Sequence, residues 1–197
     1  MTALPQPEPR ALPLPMTVAE FVALPETDHG RRYELQEGSI VMAPSPVPEH
    51  QLCQHALQLQ LHDQVPPHLR IVPAVDIDLE LAAPSAPGWV RIPDLAIVTL
   101  AGLERRRADG GLLRAGEVVL VVEILSPGSV RTDRLIKHDE YADAGIPHYW
   151  MIEFEERVSL TACHRAGEFG YADAAPVTGT FTAEEPFPVR LELDRLG

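Results

Sequence analysis

Two stretches of this chain, residues 89–100 (WVRIPDLAIVTL) and 117–125 (EVVLVVEIL), are nearly unbroken runs of Val, Ile and Leu. Runs of that kind, lacking polar alternation, belong to strands covered on both faces, so a sheet with layers on either side is the frame for the rest of the chain. Each run is interrupted by one carboxylate, Asp94 in the first and Glu123 in the second. An ionised carboxylate in such surroundings is costly unless something compensates it. A divalent metal is one compensation that would also give the pair a use.

The remaining segments can be read around that frame. Residues 1–15 (MTALPQPEPRALPLP) form a proline-rich arm expected to be disordered or extended, and residues 16–197 are expected to form a single domain. Thr17-Val18-Ala19-Glu20 fits a capping box opening a short helix with Phe21 and Leu24 on its apolar side, stopped by Pro25. RRYEL and SIVMA, joined around Glu37-Gly38, read as a hairpin. Pro48 suits the first position of a second helix, whose apolar face is expected at Leu52, Ala56 and Leu59 and which Pro66-Pro67 ends. IVPAVDIDLEL alternates apolar and acidic residues, as a half-exposed strand does. Pro93 sets a break beside Asp94, because proline removes a ladder donor. A helix over residues 132–144 follows, with Gly145 as its C-terminal cap. HYWMIEF and VSLTACH then read as strands joined by a turn at Glu155-Glu156. The order predicts an α/β fold, a mixed β-sheet core flanked by helices.

Charge bears on which partners are plausible. The formal net charge of −13 opposes broad electrostatic affinity for nucleic acid, although a bound metal offsets negative charge at its own site. Arg105, Arg106 and Arg107 are expected in a polar loop running on to Asp109-Gly110-Gly111, as solvated surface charge or, alternatively, for phosphate steering. Arg131, Arg134 and Lys137 form a second basic group. No stretch approaches the about 20 apolar residues of a membrane span, and the opening residues lack a secretory pattern. With only Cys53 and Cys163, no disulfide framework is expected, and a cytoplasmic setting is the default.

Asp94 and Glu123 are candidate ligands for one Mg²⁺ or Mn²⁺, with the carbonyl of Ile124 as a third donor and the other positions left to water and phosphate. Lys137 is then placed to orient water or to stabilise charge on the phosphate. Asp133, Lys137 and Tyr141 are spaced by four and share a helical face, while Glu34 is a further candidate acid. Plainer alternatives stand beside these. Asp133 and Lys137 form an exposed ion pair, Glu34 faces outward, or Asp94 caps a turn after proline. The pairs His50/His55 and His138/His148 have no recognised zinc spacing, and Gly-rich phosphate loops, CxxC pairs and GxSxG elbows are absent.

MTVAEFVALP, RRYELQEGSIVMAPSP, IPDLAIV and VVEILSPGSVRTDRLIKHDEYADAGIPHYWMIE, spanning most of residues 16–153, resemble the Uma-two family of restriction-endonuclease-like proteins in the PD-(D/E)XK nuclease superfamily. The last segment matches in order over some thirty residues and carries most of the resemblance. It implies a sheet core with a metal-dependent nuclease-type centre: PD gives Asp94, VVEILSP gives Glu123, and RRYEL supplies Glu34. The superfamily's lysine two residues after the glutamate is replaced by Leu125, and the resemblance assigns its role to Lys137. The implied activity is cleavage of DNA phosphodiester bonds. The alternative is a catalytically silent nuclease fold serving as a binding or regulatory module, for which a homodimer is a candidate assembly.

Overall fold

The computed structural model describes residues 15–24, 33–42, 46–126, 128–154, 157–167 and 170–197. The proline-rich arm up to residue 14, the stop at Pro25, the ends of the expected hairpin at Arg31, Arg32 and Ala43, and the turn at Glu155-Glu156 lie outside them.

Thr17 caps helix α1 (Val18–Val22) through the reciprocal capping box with Glu20. Strands β1 (Tyr33–Gln36) and β2 (Ser39–Met42) form an antiparallel hairpin. Its turn places both Glu37 (φ 48°) and Gly38 (φ 73°) in the left-handed region that tight hairpin turns require. Helix α2 (Pro48–Leu61) begins on proline, whose missing N–H costs nothing there. Its buried face is His50, Cys53, Leu57 and Leu61. Leu52 and Leu59 are 67% and 64% exposed, so the expected face was out of phase by about one residue. Polar Gln and His beside both sets of leucines leave the periodicity ambiguous, and packing against the sheet decides it.

The segment expected as one alternating strand is two: β3 (Leu69–Pro73) and β4 (Ile77–Asp78), separated at Ala74, whose φ of 49° breaks the extended backbone. The first apolar run likewise divides, into β5 (Val90–Arg91) and β6 (Leu95–Thr99), with Pro93 and Asp94 between. The three arginines expected in a loop belong instead to helix α3 (Leu100–Asp109), where Thr99 accepts the Gly102 N–H as N-cap. Arg105 is drawn onto Glu117 at 2.5 and 2.9 Å, while Arg106 and Arg107 stay exposed. Strands β7 (Leu113–Arg114) and β8 (Val118–Ile124) follow.

Next comes a widened π-type turn, Thr132–Lys137, leading into α4 (His138–Asp143). Gly145 at φ 80° then turns the chain into β9 (His148–Glu153) and β10 (Ser159–Arg165). The chain closes with β11 (Tyr171–Asp173), β12 (Val177–Thr178), and the hairpin β13 (Thr180–Ala183) and β14 (Val189–Glu192).

Among the described residues these strands make three sheets. The largest runs β11-β10-β9-β8-β6-β3 with β12 beside β10; only β8 and β9 pair in parallel, the helical segment between them making the crossover. A smaller sheet runs β2-β1-β5-β4-β7, and β13-β14 stands alone. The architecture is therefore mixed α/β with helices on the sheet. Alternation sorts the central strands between two cores: Leu95, Ile97, Leu120, Val122, Trp150 and Ile152 meet α2 and the last hairpin. Ala96, Val98, Val121, Tyr149 and Met151 meet the α4 side.

Because Leu57 is fully buried and Leu52 mostly exposed, Leu57→Ala should cost about 2–5 kcal/mol and Leu52→Ala under about 0.5 kcal/mol in urea denaturation. Equal losses would contradict this placement of α2.

Candidate functional site

Strands β6 and β8 pair with Leu95 opposite Val122; one step further, Asp94 lies beside Glu123. The continuation of that register brings together two carboxylates separated by 29 positions in the sequence, near enough for Asp94 to raise the Glu123 carboxyl. Asp94 sits just past the end of β6, where Pro93 ends pairing. Its Oδ2 accepts the Ile124 N–H at 2.7 Å and lies 3.0 Å from His50 Nε2. Its backbone carbonyl accepts from Gln54. A strand residue directs its N–H and C=O to the same side, so the Ile124 carbonyl also faces the edge where Asp94 lies.

Glu123 faces the α4 side and is 3% exposed. Its Oε1 accepts from Lys137 Nζ and from the Tyr141 hydroxyl, each at 2.9 Å. Lys137, 8% exposed, also lies 3.2 Å from Asp133 and 3.6 Å from Glu34. The reading of Asp133 and Lys137 as an exposed pair is therefore corrected, since Asp133 is buried as well. The wide turn that brings them inward leaves the Asp133 carbonyl to the Tyr149 hydroxyl, 3.0 Å away.

Glu34 is buried, not outward-facing, and both of its oxygens are engaged: Oε2 by Arg91 at 2.8 Å and Oε1 by the Ile92 N–H at 3.0 Å. Arg91, fully buried, completes the arrangement with a bidentate grip on Glu140 at 2.6 and 2.8 Å. Arg91, Glu140, Gln54 and the contact of His50 with Asp94 lie outside the residues that the sequence pattern singles out. Arg91, a charged residue inside an apolar run just like Asp94, was the signal available.

The electrostatics follow from this count. Among the described residues Asp94, Glu123, Asp133, Glu34 and Glu140 gather around two permanent cations, Lys137 and Arg91. Burial pushes the Glu123 carboxyl well above its ordinary value; Lys137 opposes that rise, and Asp94 and Asp133 add to it. Burial works against charge on Lys137, but Glu123, Glu34 and Asp133 outweigh it and hold the ammonium above its usual range. Lys137 is thus held as an ammonium that can donate. Among the described residues no donor reaches Asp94 Oδ1 or Glu123 Oε2. Two free oxygens of one hard type, a nearby carbonyl and an excess of negative charge suit a divalent cation such as Mg²⁺ or Mn²⁺.

The model of the Uma2 (Uma-two) family, described as "Putative restriction endonuclease", matches residues 18–195. A crystal structure of "a putative nuclease belonging to DUF820 from Anabaena variabilis ATCC 29413" is similar with a TM-score of 0.69 at 20% identity, covering 92% of this chain and 97% of that one. At that identity the likeness speaks for the fold alone. No curated protein matches the chain. No helix among the described residues is long and apolar enough to cross a membrane.

Because the folded Glu123 takes up a proton more readily than the unfolded chain, its contribution is fully present below its ordinary value of 4.5 and is lost as pH rises through the higher folded value. In EDTA, the stability of the wild type relative to Glu123→Gln should therefore fall as pH rises from 4.5. A difference that grows more favourable with pH would overturn this account of the carboxyl.

Proposed function

As the chain belongs to the Uma2 family, whose model carries the description "Putative restriction endonuclease", we propose that it is a Mg²⁺- or Mn²⁺-dependent endonuclease that hydrolyses DNA phosphodiester bonds. The observation that carries the reading is that Asp94 and Glu123 are neighbours across β6 and β8 with Lys137 on Glu123, each acid keeping one oxygen unclaimed among the described residues.

Asp94 Oδ1, Glu123 Oε2 and the Ile124 carbonyl would hold the cation. When bound, the cation supplies charge for the scissile phosphate and acidifies a coordinated water. The chain's own residues do the rest. The Ile124 N–H and His50 fix the Asp94 carboxylate through one oxygen and leave the other for the cation. Lys137, kept charged by its acidic neighbours, donates to the attacking water's oxygen and stabilises charge growing on the phosphate. Glu34 is part of the frame: held by Arg91 and the Ile92 N–H, it stands 3.6 Å from Lys137 and limits where the ammonium can go.

A second reading, a catalytically silent binding or regulatory module, is favoured by the net charge of −13 and by the occupation of Glu123 Oε1 by Lys137 and Tyr141. Cleavage of plasmid DNA separates the two. Purified protein should nick DNA with Mn²⁺ and stop with EDTA. Asp94→Asn, Glu123→Gln and Lys137→Met should each lower the rate by about 10²-fold or more. Unchanged cleavage in the first two variants would remove this centre, and no cleavage by folded wild type under any divalent cation would favour the module.

A further inference from the structure

Immediately after Lys137, on another face of the same helical segment, a different set of ligands converges. Cys163 on β10 and Asp173 on β11 are directly paired across the two strands, so their side chains share a face. His138, the first residue of α4, reaches over that pair, its Nε2 2.9 Å from Asp173 Oδ1. Among the described residues these three form the one group of His, Cys, Asp or Glu side chains whose ligand atoms all lie within 4.8 Å of one another.

The surroundings orient the histidine. Its Nδ1 lies 3.2 Å from Asp139 Oδ1, a carboxylate behind the ring of the kind that fixes the tautomer of a metal-bound imidazole. Tyr171 and Tyr149 pack edge-on against the ring with centroids 5.2 and 6.1 Å away, limiting its rotation. Access is graded: the Asp173 side chain is 48% exposed, that of His138 15%, and Cys163 lies at the base with 1%.

We propose that His138 Nε2, Cys163 Sγ and Asp173 Oδ1 bind a borderline-soft divalent cation of the Zn²⁺ class, which clamps the start of α4 to the β10–β11 hairpin. The set has one nitrogen, one sulfur and one oxygen, and it leaves a fourth position open to water. A thiolate with an imidazole selects zinc-type cations over Mg²⁺, in contrast with the all-oxygen donors around Asp94 and Glu123. Tetrahedral zinc bonds place such atoms about 3.3–3.6 Å apart, so the 2.9 Å contact opens by a few tenths of an ångström. On binding, the thiol loses its proton to solvent, as does any proton shared between His138 and Asp173, and the sulfur's electron pair goes to the metal. The other cysteine, Cys53, belongs to no such group of ligand atoms among the described residues.

The test uses the full chain, reduced and metal-free, titrated with Co²⁺ as a spectroscopic stand-in for zinc. With excess Mg²⁺ present to occupy the oxygen site, wild type should develop a thiolate-to-cobalt charge-transfer band that saturates at one equivalent and that Zn²⁺ bleaches while raising the melting temperature. Cys53→Ser and Glu123→Gln should keep the band, Cys163→Ser should lose it, and Asp173→Asn should weaken binding at least about tenfold. The absence of a band in wild type, or a band surviving in folded Cys163→Ser, would overturn the assignment. If Cys163→Ser does not fold by circular dichroism, Asp173→Asn decides, and undiminished affinity in that variant rejects the site. Neither outcome depends on whether the protein cleaves DNA.

Discussion

The ammonium of Lys137 joins parts of the chain that no backbone ladder connects. Glu123 comes from the large sheet, Glu34 from the small one and Asp133 from the turn that carries the lysine itself. A buried positive charge shared this way couples three elements, since removing the lysine would leave their buried carboxylates uncompensated, at a cost of about 3–5 kcal/mol. Arg91 plays the corresponding part between Glu34 and Glu140. Together the two cations explain how so many acids tolerate burial. They also explain why the balance stays negative, and that residual charge is what makes a divalent cation a sensible occupant.

Much of this was written in the sequence because apolar runs leave few choices. The runs around Asp94 and Glu123 could only be central strands, and a carboxylate inside such a strand had to meet something polar. The Glu37-Gly38 turn, the Thr17 cap and the helix before Gly145 were legible for equally local reasons. What escaped is what tertiary packing decides. The phase of α2 hung on whether leucines or the residues next to them faced the sheet. The arginine triplet became helical because Thr99 caps it and Glu117 receives Arg105, a partner twelve residues away. Likewise, the strand expected over residues 71–81 divides between two sheets at a residue with positive φ, which an alanine gives no hint of.

The candidate site was half legible for the same reason. Asp94, Glu123 and Lys137 stand out by chemistry against their neighbours, and the structure brings them together. Arg91 stands two residues before Pro93 in the same apolar run, yet only the small sheet shows that it braces Glu34. The zinc-type cluster was further out of sight. In the sequence His148 is the nearest histidine to His138, but the neighbours of His138 in the fold are Cys163 and Asp173, residues whose meeting depends on the register of two strands. One helical segment thus presents Lys137 and His138, adjacent in sequence, to two environments of opposite hardness.

The break at Pro93 has one more effect. Only Ile92, Pro93 and Asp94 separate β5 in the small sheet from β6 in the large one, and the proline fixes its own torsion. The link behaves like a short crank without slack: any tilt of one sheet against the other is delivered straight to a carboxylate. The length of that connection is therefore as much a part of the chemistry as the acid at its end.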